Sequence, residues 1–169
     1  VIFTSDNGPT FNGGTDSEFF ASAAGRRGLK CSLYEGGIRT PLLVRWPGKV
    51  AAGRISDHLC THWDLWSTIA DAAGERVTQA HDGVSFLPTL RGRAEQKQHD
   101  SLYWEYHAAG GIQAARIGNW KAVKRNAKKA GAVIELYDLA KDPNETTDVA
   151  GAHPEVIAKV TATFAARTP

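Results

Sequence analysis

The chain has 169 residues, 42% of them hydrophobic and 22% charged, with a formal net charge of +2 at pH 7. That is the composition of a globular domain large enough to bury a real core, and no apolar run approaches the roughly 20 residues a membrane helix requires. So small a net charge gives no reason to expect a nucleic acid or an anionic membrane surface as partner.

Residues 1–5 read as a buried strand that stops at the turn sequence Asp6-Asn7-Gly8-Pro9. The chain contains no Met and opens directly on that strand, so it is expected to begin partway through a longer protein. Thr15 with Glu18 forms a capping-box pattern for a short helix through Phe19, Phe20 and Ala21. Residues 25–37 read as loop, and residues 41–46 as a second buried strand closed by Pro47-Gly48. The clearest helix lies between Thr61 and Gly74, with Thr61 as its cap, Asp64 in its first turn, and Leu65, Ile69 and Ala72 on one face. Residues 88–100 have no apolar period and read as a linker. Three strand-like pieces follow at 102–106, 115–123 and 133–139, and then a helix with Pro154 at its start and Val156, Val160 and Phe164 in one stripe. This order predicts an α/β unit followed by a small antiparallel sheet packed with the terminal helix.

Several positions carry chemistry. Asp6 and Asn7 offer a carboxylate and an amide oxygen, hard ligands suited to Ca²⁺ or Mg²⁺, beyond the carboxyl end of a strand. Gly8 would let the backbone leave the strand through a positive φ. An Asx turn would use the same residues. Lys30 and Arg39 flank the double glycine Gly36-Gly37, whose N–H groups could approach an oxyanion; a solvated lysine is the alternative for Lys30. His58 and His62 are spaced to meet on a helix, though a capping or surface role is commoner than zinc ligation. Lys121, Lys124, Arg125, Lys128 and Lys129 read as a basic hairpin tip, solvated or able to hold an anionic polymer. Asn144-Glu145-Thr146 matches a glycosylation acceptor. Cys31 and Cys60 are too few for a disulfide framework and read as thiols, with one bridge open to them in an oxidising compartment.

Taken together, Thr4-Ser5-Asp6-Asn7-Gly8, Lys30 with Ser32 to Pro41, Asp82 to Pro88, Arg116 to Lys121 and Glu135 to Leu139 resemble the arylsulfatase-type sulfatases of the alkaline phosphatase superfamily. The Tyr34-Glu35-Gly36-Gly37-Ile38-Arg39 stretch is the most specific of these matches. The resemblance implies that residues 1–95 form the C-terminal part of a sulfatase core with an alkaline-phosphatase-like sheet, and residues 96–169 a small α+β subdomain. It implies that Asp6 and Asn7 are one pair of Ca²⁺ ligands and that Lys30 contacts the sulfate. The family's nucleophile is a formylglycine made from Cys or Ser in a Cys/Ser-x-Pro-x-Arg motif, and neither Cys31 nor Cys60 stands in one. That nucleophile and the paired aspartates of the calcium site are therefore expected in a preceding part of the protein. The chain alone is expected to be inactive, and to self-associate or to belong with that missing portion. The implied substrate is a sulfate ester, sulfated glycans included, and the implied location is periplasmic, secreted or lysosomal. A phosphodiesterase or phosphonate hydrolase of the same superfamily, or a non-catalytic module binding sulfated glycans, are the competing readings.

Overall fold

The computed structural model describes residues 1–108 and 110–167. Its contacts divide the chain into two compact units, one of residues 1–6 and 41–99, the other of residues 7–40 and 100 onward.

In the first unit, strand β1 (Ile2–Thr4) pairs antiparallel with β2 (Leu42–Val44), Phe3 opposite Leu43. Buried strands were expected here. Each observed strand has three residues, and Phe3 and Leu43 are 62% and 58% exposed, because a two-stranded ribbon is all edge. Helix α2 (Asp64–Ala73) ends at Gly74, whose φ of 81° supplies the left-handed C-terminal cap. The start differs from expectation: the Asp64 carboxylate accepts the Thr61 N–H at 2.7 Å, so the acid caps and Thr61 donates.

The inward face of α2 is also not the apolar one. Asp64, Ser67 and Thr68 are buried, whereas Ile69 is 54% exposed. Their work is to satisfy a segment with no ladder of its own. Val84 N–H donates to Asp64 Oδ1 at 2.8 Å, Phe86 N–H to Thr68 Oγ1 at 3.0 Å, and Ser67 Oγ to the Gly83 carbonyl at 3.2 Å. His99 closes the network with Nε2 2.9 Å from Asp64 Oδ1. Short helix α3 (Leu87–Leu90) and the Gln96 side chain, which bonds to Thr89 and Ser85, occupy the stretch that reads as a linker.

The second unit is built on a meander, β3 (Leu102–Tyr106), β4 (Ile112–Ile117), β5 (Trp120–Arg125) and β6 (Ile134–Asp138), antiparallel in that order. The single strand expected over 115–123 is thus a hairpin, turned at Gly118 with φ 57°. Alternation explains the adjacent apolar residues, since neighbours on a strand face opposite ways. Ala115, Ala122 and Leu136 pack on Val156, Val160 and Phe164 of helix α4 (Pro154–Arg167). Ala114, Val123 and Tyr137 pack on Leu33 and Tyr34. Both faces of the sheet are therefore covered, one by α4 and the other by the segment leading into helix α1 (Glu35–Ile38), within a stretch that reads as loop up to Gly37. Residues 17–25 form successive turns instead of the expected helix. Positive φ values at Ala21 and Ala24, 46° and 50°, interrupt any helical run.

Candidate functional site

Asp6 is exposed and lies two residues past the end of β1, as the last residue of the first unit's N-terminal piece; Asn7 opens the second unit. The Asn7 side-chain amide donates to the Gly8 carbonyl at 2.9 Å, a local bond that fixes its rotamer. Gly8 does not take the positive φ expected of it. It is glycine for a steric reason: a Cβ there would run into the Gly36 carbonyl.

That approach belongs to a three-way crossing of backbone. Gly8 N–H donates to the Gly37 carbonyl, Lys30 N–H to the Pro9 carbonyl and Gly36 N–H to the Arg27 carbonyl, each at 2.8 Å. A Cβ on Gly36 or Gly37 would strike carbonyls of residues 26–29 and 32. The double glycine thus lets the Lys30 loop lie against the Asn7 loop. Its N–H groups are already bonded, Gly37 N–H to the Tyr34 carbonyl at 2.9 Å, so the oxyanion cradle suggested by the sequence is not what they form. The Lys30 side chain is exposed.

Beneath this crossing is a buried ionic cluster. Lys121, read from sequence as part of a basic surface, is fully buried. Its ammonium donates to Glu35 Oε1 at 3.0 Å and lies 3.5 Å from Glu145 Oε1. Glu145 Oε2 accepts the Glu35 N–H at 2.6 Å. Arg116 and Arg39 approach Glu35 Oε2 at 3.8 and 3.9 Å, the latter from an exposed position. Burial pushes the Glu145 carboxyl above the ordinary glutamate range, and the Lys121 charge opposes that shift. Glu145 also holds φ 56°. The cluster ties α1, β4, β5 and the loop at 145 together and so fixes the segment that carries the glycines. The alternation of β5 was the available signal, because Lys121 must share a face with Val123.

Other positions resolve more simply. His58 and His62 precede α2, so no helix brings them together. Burial, opposed by Asp64, lowers the His58 pKa. His62 Nε2 lies 3.4 Å from Thr4 Oγ1. Both cysteines are free thiols, and burial raises Cys60 to about 11. Among the described residues no group of three or more His, Cys, Asp and Glu side chains is arranged to hold a metal, and no helix is long and apolar enough to cross a membrane.

A four-stranded meander backed by a terminal helix, with the Asn7, Lys30 and double-glycine segments interlocked on it, is the C-terminal architecture of a sulfatase. Residues 29–167 match the family model described as N-sulphoglucosamine sulphohydrolase, C-terminal, and the chain belongs to that family. It is 31% identical to an N-acetylgalactosamine-6-O-sulfatase of Bacteroides thetaiotaomicron, over 93% of this chain and 34% of the relative. It is 32% identical to human arylsulfatase A, over 93% of this chain and 35% of that protein. Among solved structures it resembles a 2-O GAG sulfatase, with a TM-score of 0.75 and 26% identity over 97% of this chain and 34% of the other. A phosphonate monoester hydrolase of Agrobacterium radiobacter gives a TM-score of 0.70 and 25% identity over 98% of this chain and 34% of the other. The chain therefore spans about a third of the length of the curated relatives it matches.

Proposed function

We propose that this chain is the C-terminal part of an enzyme that hydrolyses sulfate esters, with Lys30 contacting the sulfate and Asp6 and Asn7 giving oxygen ligands to Ca²⁺. The observation that carries the reading is the backbone crossing, in which the Lys30 N–H bonds to the Pro9 carbonyl two residues from Asn7. The donor chemistry fits the ion, since an exposed carboxylate and an amide oxygen are hard ligands; two donors are part of the six to eight that Ca²⁺ takes. Bound there, Ca²⁺ would supply positive charge to sulfate oxygens. The Lys30 ammonium would add to it, favouring the charge that builds on those oxygens as the ester bond breaks. The formylglycine nucleophile and the remaining ligands would come from a preceding part of the protein. On this reading the chain alone has no turnover, and the working enzyme is periplasmic, secreted or lysosomal.

The likeness to a phosphonate monoester hydrolase keeps a second substrate class in the test. In the full-length protein, Lys30→Ala should lower turnover of a chromogenic aryl sulfate by about 100-fold, the scale of losing one charge-stabilising donor. A phenyl phosphonate assayed in parallel should be the poorer substrate. Unchanged sulfate turnover in the variant, or a clear preference for the phosphonate, overturns the assignment. No turnover of either by the full-length protein would favour a non-catalytic binding module.

A further inference from the structure

The ends of two hairpins lie side by side in the second unit. Ala127 N–H donates to the Gly111 carbonyl at 2.9 Å, so the β5–β6 connection is laced to the β3–β4 turn. Lys128 Nζ donates to the His107 carbonyl at 3.3 Å across the same join. Asn126 and Gly131, with φ 52° and 72°, turn the connection back on itself. Arg125, Lys128 and Lys129 fall within these few positions, whereas Lys124, opposite Ile134, faces the α4 side of the sheet. Arg125, Asn126, Lys129 and Glu135 line a depression of about 280 Å³ there.

The charge balance of that depression is positive. Glu135 is its acid, and it is already engaged: Tyr137 donates to Oε2 at 2.7 Å, Tyr34 donates to the same oxygen, and Arg125 Nε approaches Oε1 at 3.5 Å. Lys124, Lys128 and Lys129 make no ion pair among the described residues. The laced pair of turns therefore carries a local excess of positive charge, with Lys128 and Lys129 unpaired beside Arg125.

We infer that these turns bind a sulfated polysaccharide, with one sulfated sugar in the depression and the chain continuing along Lys128. The volume is below the range of pockets that enclose a whole drug-sized ligand, which suits a single sugar of a longer polymer. Single-stranded nucleic acid, the competing polyanion, is held by aromatic stacking as well as charge, and residues 130–133 of the lining are Ala, Gly, Ala and Val. The inference rests on the sulfatase reading for its choice of sulfate as the anion.

The test measures binding of a heparin oligosaccharide to the full-length protein and to R125S/K129S. Each exposed cation removed should cost a few-fold, so about tenfold in all. The dependence of log affinity on log salt should flatten by about two, one for each cation taken from the polyanion. Desulfated oligosaccharide should bind weakly to both proteins. Unchanged heparin affinity in the variant overturns the inference, as does equally tight, equally variant-sensitive binding of an oligonucleotide of matched charge. Should the double variant unfold, Lys129→Ser alone answers the same question at a few-fold effect. Because the readout is binding, a protein without sulfatase turnover still answers it: hairpin-dependent binding without turnover sinks the enzymatic reading alone, and turnover without hairpin-dependent binding sinks this one alone.

Discussion

Replacing Lys121 by methionine removes the fully buried cation between Glu35 and Glu145 while keeping an unbranched side chain of similar length. Glu35 retains Arg116 and Arg39 at 3.8 and 3.9 Å. The Glu145 carboxylate keeps no ion-pair partner within 4 Å among the described residues, since Arg27 bonds to the backbone carbonyl of that residue, so it should take up a proton. Taking a glutamate from its ordinary 4.5 to the protonated form at pH 7 costs about 3.4 kcal/mol, at about 1.36 kcal/mol per pH unit. That agrees with the about 3–5 kcal/mol typical of breaking a buried ion pair on one side. At pH 5 the same protonation costs only about 0.7 kcal/mol. The direction follows from proton counting. With the folded value raised, the folded protein holds a proton that the unfolded chain has released, so stability falls as pH rises from 4.5 through the raised value. Urea unfolding of wild type and Lys121→Met at pH 5 and pH 7 should therefore show a deficit of at most about 3.4 kcal/mol at pH 7, less the penalty that the raised wild-type carboxyl already carries, and a smaller deficit at pH 5. Adding Glu145→Gln should restore much of the loss at pH 7. A deficit below about 1 kcal/mol, or one that does not change with pH, would refute the view of Lys121 as the compensating charge.

Gly36→Ala drives a methyl group into the Gly28 and Arg27 carbonyls, so we expect a loss above about 3 kcal/mol, read as a lower urea midpoint. Gly53→Ala, at an open but positive-φ site, should cost only about 1 kcal/mol; equal costs would contradict the crossing. Calorimetric titration of the isolated chain should find Ca²⁺ binding weaker than micromolar, since on the proposed reading Asp6 and Asn7 would give only two of the six to eight oxygens required; micromolar affinity would mean further ligands in this chain. Light scattering should find the isolated chain self-associated through Phe3 and Leu43, 62% and 58% exposed on an edge ribbon. A stable monomer that unfolds cooperatively would refute that expectation.

The terminal helix and its stripe were legible because Val156, Val160 and Phe164 follow a helical period and pack where that period puts them. Helix α2 was legible in extent, and the face it buries was not. Period analysis counts apolar residues, whereas α2 turns Asp64, Ser67 and Thr68 inward to bond the backbone of 83–86. The hairpin between β4 and β5 was hidden although Gly118-Asn119 is a two-residue turn signal, because strand-like residues run up to it on both sides. Gly36 and Gly37 were recognisable as important, yet for Gly36 the reason is a carbonyl eight or nine residues away, which local sequence does not encode. Lys121 was misplaced by its company, four exposed or half-exposed cations, although the strand alternation pointed inward.

The unit that holds Asn7 and Lys30 is assembled from two stretches separated by about sixty residues, and its clasp, Glu145, comes after all four strands of the sheet. During synthesis the loops of residues 7–40 must wait, with Leu33 and Tyr34 uncovered, until β5, β6 and Glu145 have left the ribosome. Contacts of such separation in sequence also form slowly. A premature stop at codon 140 would thus leave Asp6, Asn7 and Lys30 all translated and still deny them the carboxylate that holds the Glu35 N–H in place. C-terminal deletions that reach Glu145 should then loosen the loops that carry Asn7 and Lys30.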